Sequence, residues 1–212
     1  SILINGNNLI NAIISGSNNI CKNKNAVDKL NIFPVPDGDT GTNMSMTIKS
    51  AVKEIEEISE DISVSQVSSI VASHLLRGAR GNSGVILSVL FKGFAQGLAN
   101  LEIATGKDLV HALSLGVNLA YKTVMNPTEG TILTVARVAA ETGEKALEVN
   151  DDVVFVWEEI CRGASEALIK TPEMLPVLKR AGVVDAGGKG LCLIFEGMLS
   201  VFKEDTIIEY EE

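Results

Sequence analysis

Two carboxylates one residue apart, Asp37 and Asp39, stand in the stretch 31–44, NIFPVPDGDTGTNM, on a turn rich in Pro and Gly. Carboxylate oxygens suit hard cations such as Mg²⁺, which is commonly held by one or two protein carboxylates while waters and substrate phosphates complete its shell. The spacing of apolar residues predicts a helix starting near Thr42. A helix start offers free N–H groups and a positive dipole end, both suited to phosphate. Cation ligands and an anion cradle in one short loop point to a metal–nucleotide site. The same residues also suit an ordinary turn with a helix cap, since Asp, Gly and Thr favour both uses. A Ca²⁺ loop of the EF-hand kind is excluded: its sixth position would be Thr42 instead of Gly, and its twelfth Ile48 instead of Glu.

The elements that must hold this loop read as helices. Ile48, Val52, Ile55 and Ile58 recur on one helical face after the Asp loop, and Val64, Val67, Val71 and Leu75 repeat the pattern, with Ser63 placed to cap it. Residues 84–98 are apolar nearly all round and predict a central buried helix. Segments 106–125, 130–147, 151–170 and 188–203, with an opening segment of about 3–23, bring the expectation to eight long helices and an all-α fold. No period-2 alternation bounded by hairpin turns is present, so no sheet is expected. Four joints are rich in Gly, Ser, Thr or Asp: 36–43 (PDGDTGTN), 78–84 (GARGNSG), 126–131 (NPTEGT) and 182–190 (GVVDAGGKG). They precede helices two, four, six and eight. In an antiparallel bundle alternate helices start at the same end, so the four joints are expected to share one rim.

Taken singly, the other joints are weak signals. Gly81-Asn82-Ser83-Gly84 is also an ordinary helix start with Asn82 or Ser83 as cap, and residues 187–190, GGKG, lack the P-loop pattern. No protein-kinase signature set occurs. Arg80, in a Gly-rich joint at the presumed rim, is a candidate phosphate contact. His74 and His111 have no partner at ligand spacing and read as helix-packing residues.

Composition narrows the classes further. Apolar residues make up 46% and aromatics 4%, so the core must be built mainly from Ile, Leu, Val and Ala. A formal charge of −9 and a pI near 4.8 disfavour a nucleic-acid backbone or an anionic membrane as partner. No signal peptide and no uncharged apolar run approaching the roughly 20 residues of a membrane span is visible. Cys21, Cys161 and Cys192 form neither a metal-ligand pair nor a disulfide framework, which fits a cytoplasmic location and small packing residues. The opening Ser-Ile-Leu-Ile, without Met, reads as the start of a partial chain. The acidic residues 204–212 read as a tail, or as the start of a linker to a further C-terminal region.

Together, LNIFPVPDGDTGTNM, GARGNSG, NPTEGTILTV and KRAGVVDAGGKGL resemble the DhaL-like (DAK2) kinase domain, and more closely the N-terminal ATP-binding domain of bacterial fatty acid kinases. The resemblance spans essentially the whole chain. It implies an eight-helix antiparallel barrel over residues 1–203, with ATP and two Mg²⁺ at one rim, and transfer of the γ-phosphoryl group. In dihydroxyacetone kinases the acceptor is the sugar. In fatty acid kinases it is an acyl carboxylate presented by a separate fatty-acid-binding carrier protein, and further domains follow in the same polypeptide. By the same resemblance Asp37 and Asp39 match two Mg²⁺ ligands, and Asn31 stands nearest to the third. Thr40, Gly41, Thr42 and Asn43 match the phosphate loop, Asn82 and Ser83 the second phosphate turn, Thr131 and Ile132 the nucleotide-contacting joint, and Asp185 and Gly187 the loop closing over the nucleotide.

Phosphoryl transfer needs positioning and charge neutralisation more than covalent chemistry. No general base is evident. A carboxylate acceptor, ionised at neutral pH with a pKa of about 4, needs none, whereas a hydroxyl acceptor usually does. The residues therefore lean toward acyl phosphate formation. Sugar phosphorylation and a non-catalytic nucleotide- or lipid-binding module stand as alternatives.

Overall fold

Nine helices account for most of the described residues, 3–212, of the computed structural model. They are α1 (Gly6–Leu30), α2 (Thr40–Ile55), α3 (Val64–Gly78), α4 (Gly81–Gly97), α5 (Gly106–Thr123), α6 (Ile132–Ala146), α7 (Val153–Met174), α8 (Pro176–Ala181) and α9 (Ala186–Glu204). The eight long ones are those expected, with α9 as the eighth. Each packs on its neighbour in sequence, and α9 packs on both α7 and α1, which closes the ring. Capping chemistry starts several of them. Asn5 and Asn8 form a capping box on α1, Ser63 and Gln66 on α3, and Thr105 and Asp108 on α5.

The barrel interior is aliphatic. Ile13, Ile20, Met44, Ile48, Leu87 and Leu109 are all fully buried, each worth roughly 1.5–3 kcal/mol of removal from water. Truncating one of them, as in Ile48→Ala, costs about 2–5 kcal/mol. Polar ties fix the seams around α9. Asn19 Nδ2 on α1 donates to the Leu193 carbonyl at 2.7 Å, and Trp157 Nε1 on α7 donates to the Phe195 carbonyl at 2.9 Å.

Four features depart from the sequence reading. First, α1 runs to Leu30 instead of ending near residue 23; its last turns are polar, and only Val27 of them is buried, so no apolar stripe advertised them. Second, a two-residue antiparallel ladder joins β1 (Leu3–Ile4) to β2 (Ala104–Thr105), too short to show alternation. Third, the short α8 begins with Pro176 in its first turn and ends on Gly182 in the left-handed conformation. Fourth, the acidic tail folds back on the barrel: Ile208 N–H donates to Ser15 Oγ at 2.9 Å, Asn18 Nδ2 donates to the Ile208 carbonyl at 2.8 Å, and Glu212 pairs with Lys49. Among the described residues no helix is long and apolar enough to cross a membrane.

Candidate functional site

The four joints meet. A cleft of about 640 Å³ is lined by Asp37, Asp39, Thr40 and Asn43 from the first, Asn82 and Ser83 from the second, Thr131 and Ile132 from the third, and Asp185 and Gly187 from the fourth. Asn31, Phe33 and Val35 add the Pro-rich loop, within which the Phe33–Pro34 bond is cis. The volume lies within the range of small-molecule sites. Parity of the helix starts was therefore a sound guide.

The helix starts are used differently. At α2, Asn31 Oδ1 accepts the N–H groups of Asp39 and Thr40 at 3.0 and 3.1 Å, while its amide donates to the Val35 carbonyl at 3.2 Å. A carbonyl oxygen has two lone pairs. Both are engaged here, so Asn31 pins the loop and does not offer a free oxygen to a cation. The expectation of a third metal ligand at this position gives way to that role. Thr42 N–H and Oγ1 both donate to the Asp28 carboxylate, at 2.9 and 2.6 Å. Thr42 and Gly41 also lie outside the cleft lining. The α2 start thus keeps few N–H groups for an incoming anion.

At α4 the opposite holds. Its N-cap is Arg80, not Asn82 or Ser83, and no side chain of the described residues caps it. Gly84 N–H makes the first helical bond, to the Arg80 carbonyl, so the N–H groups of Gly81, Asn82 and Ser83 are left uncapped. Two α2 side chains build this start. Thr47 Oγ1 accepts the Arg80 N–H at 3.0 Å, and a Cβ on Gly81, whose φ is +68°, would stand 2.4 Å from Asn43 Nδ2. Only Gly fits there. The Arg80 side chain, expected to be a phosphate contact, is exposed and is not part of the cleft wall.

The third and fourth joints share one carboxylate. Asp185 Oδ2 accepts the Gly188 N–H at 2.8 Å at the start of α9, and the Ile132 backbone at the start of α6 faces the same carboxylate and favours its charged form. Burial pushes its pKa up to about 6, against the lowering effect of those two N–H groups. Thr171 holds it from behind: its Oγ1 accepts the Asp185 N–H at 3.1 Å and donates to the Leu168 carbonyl at 2.7 Å. Pro172, lacking an N–H, leaves that carbonyl without its helical donor. Beside it, Glu129, Arg137 and Tyr121 clamp the α5–α6 joint, with Tyr121 Oη donating to Glu129 at 2.8 Å. Burial raises the Tyr121 pKa to about 12.

Asp37 is exposed and Asp39 half-buried. Burial first, then a hydrogen bond and repulsion from Asp37, raise the pKa of Asp39 above its ordinary value. No group of three or more His, Cys, Asp or Glu placed to hold a metal ion occurs among the described residues. Two carboxylates and no full cage match Mg²⁺, whose remaining shell comes from water and phosphate oxygens. The cleft wall contains Asp37, Asp39 and Asp185 but no Lys, Arg or His. A polyphosphate entering it meets three carboxylates and needs a divalent cation to offset them.

The DAK2-domain family matches residues 34–200. The chain belongs to this family. The DAK2 domain is 45% identical over 204 residues to protein YloV of Bacillus subtilis, covering 96% of this chain and 37% of that protein. It is 46% identical over 204 residues to an uncharacterised protein of Staphylococcus haemolyticus, with the same coverage of 96% and 37%. The chain thus spans 37% of the length of these relatives. Among solved structures, the dihydroxyacetone kinase from C. freundii in complex with AMP-PNP and Mg²⁺ shares the fold, with a TM-score of 0.66 and 16% identity over 94% of this chain and 35% of that one.

The sequence reading missed Asp28, Thr171 and the apolar side of the DAK2 cleft, formed by Val85, Ile86 and Val89 on α4 and by Val124 and Met125 after α5. Only the all-round apolarity of α4 hinted at the last. His74 and His111 stay outside the cleft, and His111 is exposed, so it is not a packing residue.

Proposed function

We propose that this DAK2 domain binds ATP with Mg²⁺ and transfers the γ-phosphoryl group to a fatty acid carboxylate, presented by a carrier protein, to form an acyl phosphate. The observation that carries the reading is the inventory of the cleft wall: paired carboxylates, an uncapped helix start and no Lys, Arg or His. Asp37 and Asp39 hold the cation, and when bound Mg²⁺ neutralises charge on the β- and γ-phosphate oxygens. The N–H groups of Gly81, Asn82 and Ser83 receive phosphate oxygens. Asp185 and Gly187 close the opposite wall.

What the wall omits supports the choice of acceptor. Asp37 and Asp39 are assigned to the cation and Asp185 Oδ2 to the Gly188 N–H, and the wall has no His, Lys or Cys to take a proton from a hydroxyl. A carboxylate acceptor has no proton to lose. The mouth supports the same choice, because Val35, Val85 and Met125 line it and stay 58%, 46% and 93% exposed. Apolar side chains left open at a cleft mouth favour a lipophilic substrate or partner over a small sugar.

The test is to incubate the protein, alone and within its longer polypeptide, with radiolabelled ATP and Mg²⁺. One arm adds a carrier-bound fatty acid, and another adds dihydroxyacetone with its carrier. Label moving to the acyl group is expected. Label moving only to the sugar overturns the acceptor, and nucleotide binding without turnover in either arm overturns the kinase reading.

A further inference from the structure

An Asp at a helix N-cap ordinarily turns its carboxylate back onto the N–H two or three residues ahead. Asp39 is the N-cap of α2 and makes no such bond. Of the two N–H groups within its reach, those of Gly41 and Thr42, the Thr42 one is already held by Asp28 Oδ1 at 2.9 Å, and the Thr42 hydroxyl donates to the other Asp28 oxygen at 2.6 Å. Asp28 is half-buried in the last turn of α1, twelve residues before the first residue of the helix it caps. Its backbone carbonyl accepts the Asn31 N–H at 3.1 Å, so one residue anchors both the start of the Asp loop and its end. The helices are pressed together for this contact: a Cβ on Gly41 would stand 2.2 Å from the Lys24 carbonyl and 3.0 Å from Asp28 Oδ1.

The arrangement decides where Asp39 points. Two influences pull its carboxylate from the cleft: the unsatisfied N–H groups of its own helix, and the like charge of Asp37. A bidentate partner on Thr42 weakens the first. We propose that Asp28 is a positioning residue of the phosphoryl-transfer site, capping α2 in place of Asp39 so that the Asp39 carboxylate is kept for the cation, with Thr42 serving that clamp instead of the phosphates. Both donors of Thr42 are spent on Asp28, and Thr42 lies outside the cleft lining, which fits a structural and not a phosphate-binding use. The inference rests on the nucleotide-and-cation reading of the cleft.

Mn²⁺ titrated into the protein with AMP-PNP, followed by electron paramagnetic resonance, reads the cation site directly. Asp28→Ala is expected to raise the half-saturating Mn²⁺ concentration about five- to tenfold, the equilibrium equivalent of one helix cap. Asp28→Asn, which keeps one acceptor for the Thr42 N–H, should restore most of that loss. Thr42→Val, which keeps the N–H but not the hydroxyl, should fall between Asp28→Asn and Asp28→Ala. Val27→Ala, in the neighbouring buried position, controls for general loosening of α1. Equal Mn²⁺ affinity in Asp28→Ala and the wild type, or an equal rise in Val27→Ala, overturns the positioning role alone. A wild-type protein that takes up no Mn²⁺ with nucleotide overturns the reading of the cleft, and the role of Asp28 with it.

Discussion

The starts of α2 and α4 face the same cleft and draw on similar residues, yet they are finished in opposite ways. The α2 start is largely completed from within the chain, the N–H groups of Asp39, Thr40 and Thr42 taken by Asn31 and Asp28, and what it presents is charge: Asp37 and Asp39. The α4 start is left incomplete, with no cap, and what it presents is N–H groups. A Gly/Ser/Thr/Asp-rich joint is therefore not by itself an anion cradle. Which kind of site it makes depends on whether some other part of the chain has already satisfied its donors. One start is fitted to a cation and the other to an anion, and a metal–polyphosphate carries both.

The largest effect should come from breaking the charged side. Asp37→Ala or Asp39→Ala is expected to weaken Mg²⁺-dependent ATP binding about a hundredfold or more, on the order of 3 kcal/mol, in calorimetry with and without Mg²⁺. Equal, metal-independent binding in both variants would remove the cation from the α2 side altogether. Asp185 tests the shared cap of α6 and α9. Its folded pKa, about 6, is raised from the ordinary 3.8, so the folded state holds the proton more tightly than the unfolded one. Its contribution is full below pH 3.8 and is lost as pH rises through 6, a swing of about 3 kcal/mol at most. Denaturant unfolding of the wild type should accordingly lose stability relative to Asp185→Asn between pH 4 and 6, and parallel curves would contradict the burial argument.

Asn31→Ala strips two N–H groups of their acceptor and should cost about 2 kcal/mol, or roughly 4–8 °C in Tm for a chain of this size. Asn31→Asp, which retains the oxygen, should lose far less. The α4 side can be sharpened by supplying what it lacks. Arg80 has the extended backbone of an N-cap, with φ −125° and ψ 129°. Arg80→Ser should add a cap worth about 1 kcal/mol, raise Tm by roughly 2–4 °C, and weaken ATP binding about tenfold by consuming an N–H group. Arg80→Ala should do neither. The smallest effect is expected at the exposed clamp of the α5–α6 joint. Arg137→Ala should change the KM for ATP about two- to threefold with kcat nearly constant, since exposed ion pairs contribute roughly 1 kcal/mol or less.

Much of the architecture was legible because it depends on periodicity. Ile48, Val52 and Ile55 mark the inner face of α2, and Ser63 marks the start of α3, by rules that act within a few residues. The gathering of the four joints was legible too, because the order of helices alone fixes which ends coincide. What escaped were contacts set by packing between distant parts of the chain. Nothing local says that Asp28 will reach Thr42, fourteen residues on, or that Thr171 will hold the N–H of Asp185, again fourteen residues on. Asn31 was misread for a related reason. Its residue type suits ligation and turn-pinning equally, and only the positions of the Asp39 and Thr40 N–H groups decide between them.

Trp157 is the sole tryptophan in the sequence, and it sits edge-on to two rings of α9, Phe195 at 5.3 Å and Phe202 at 5.6 Å. The sequence therefore carries a single indole fluorophore, sealed from solvent and coupled to the same rod whose first turn forms part of the cleft wall. A shift in its emission on adding nucleotide would report α9 sliding or tilting as a unit. Silent emission with full binding would mean that the rim adjusts while the shaft of the barrel stays still.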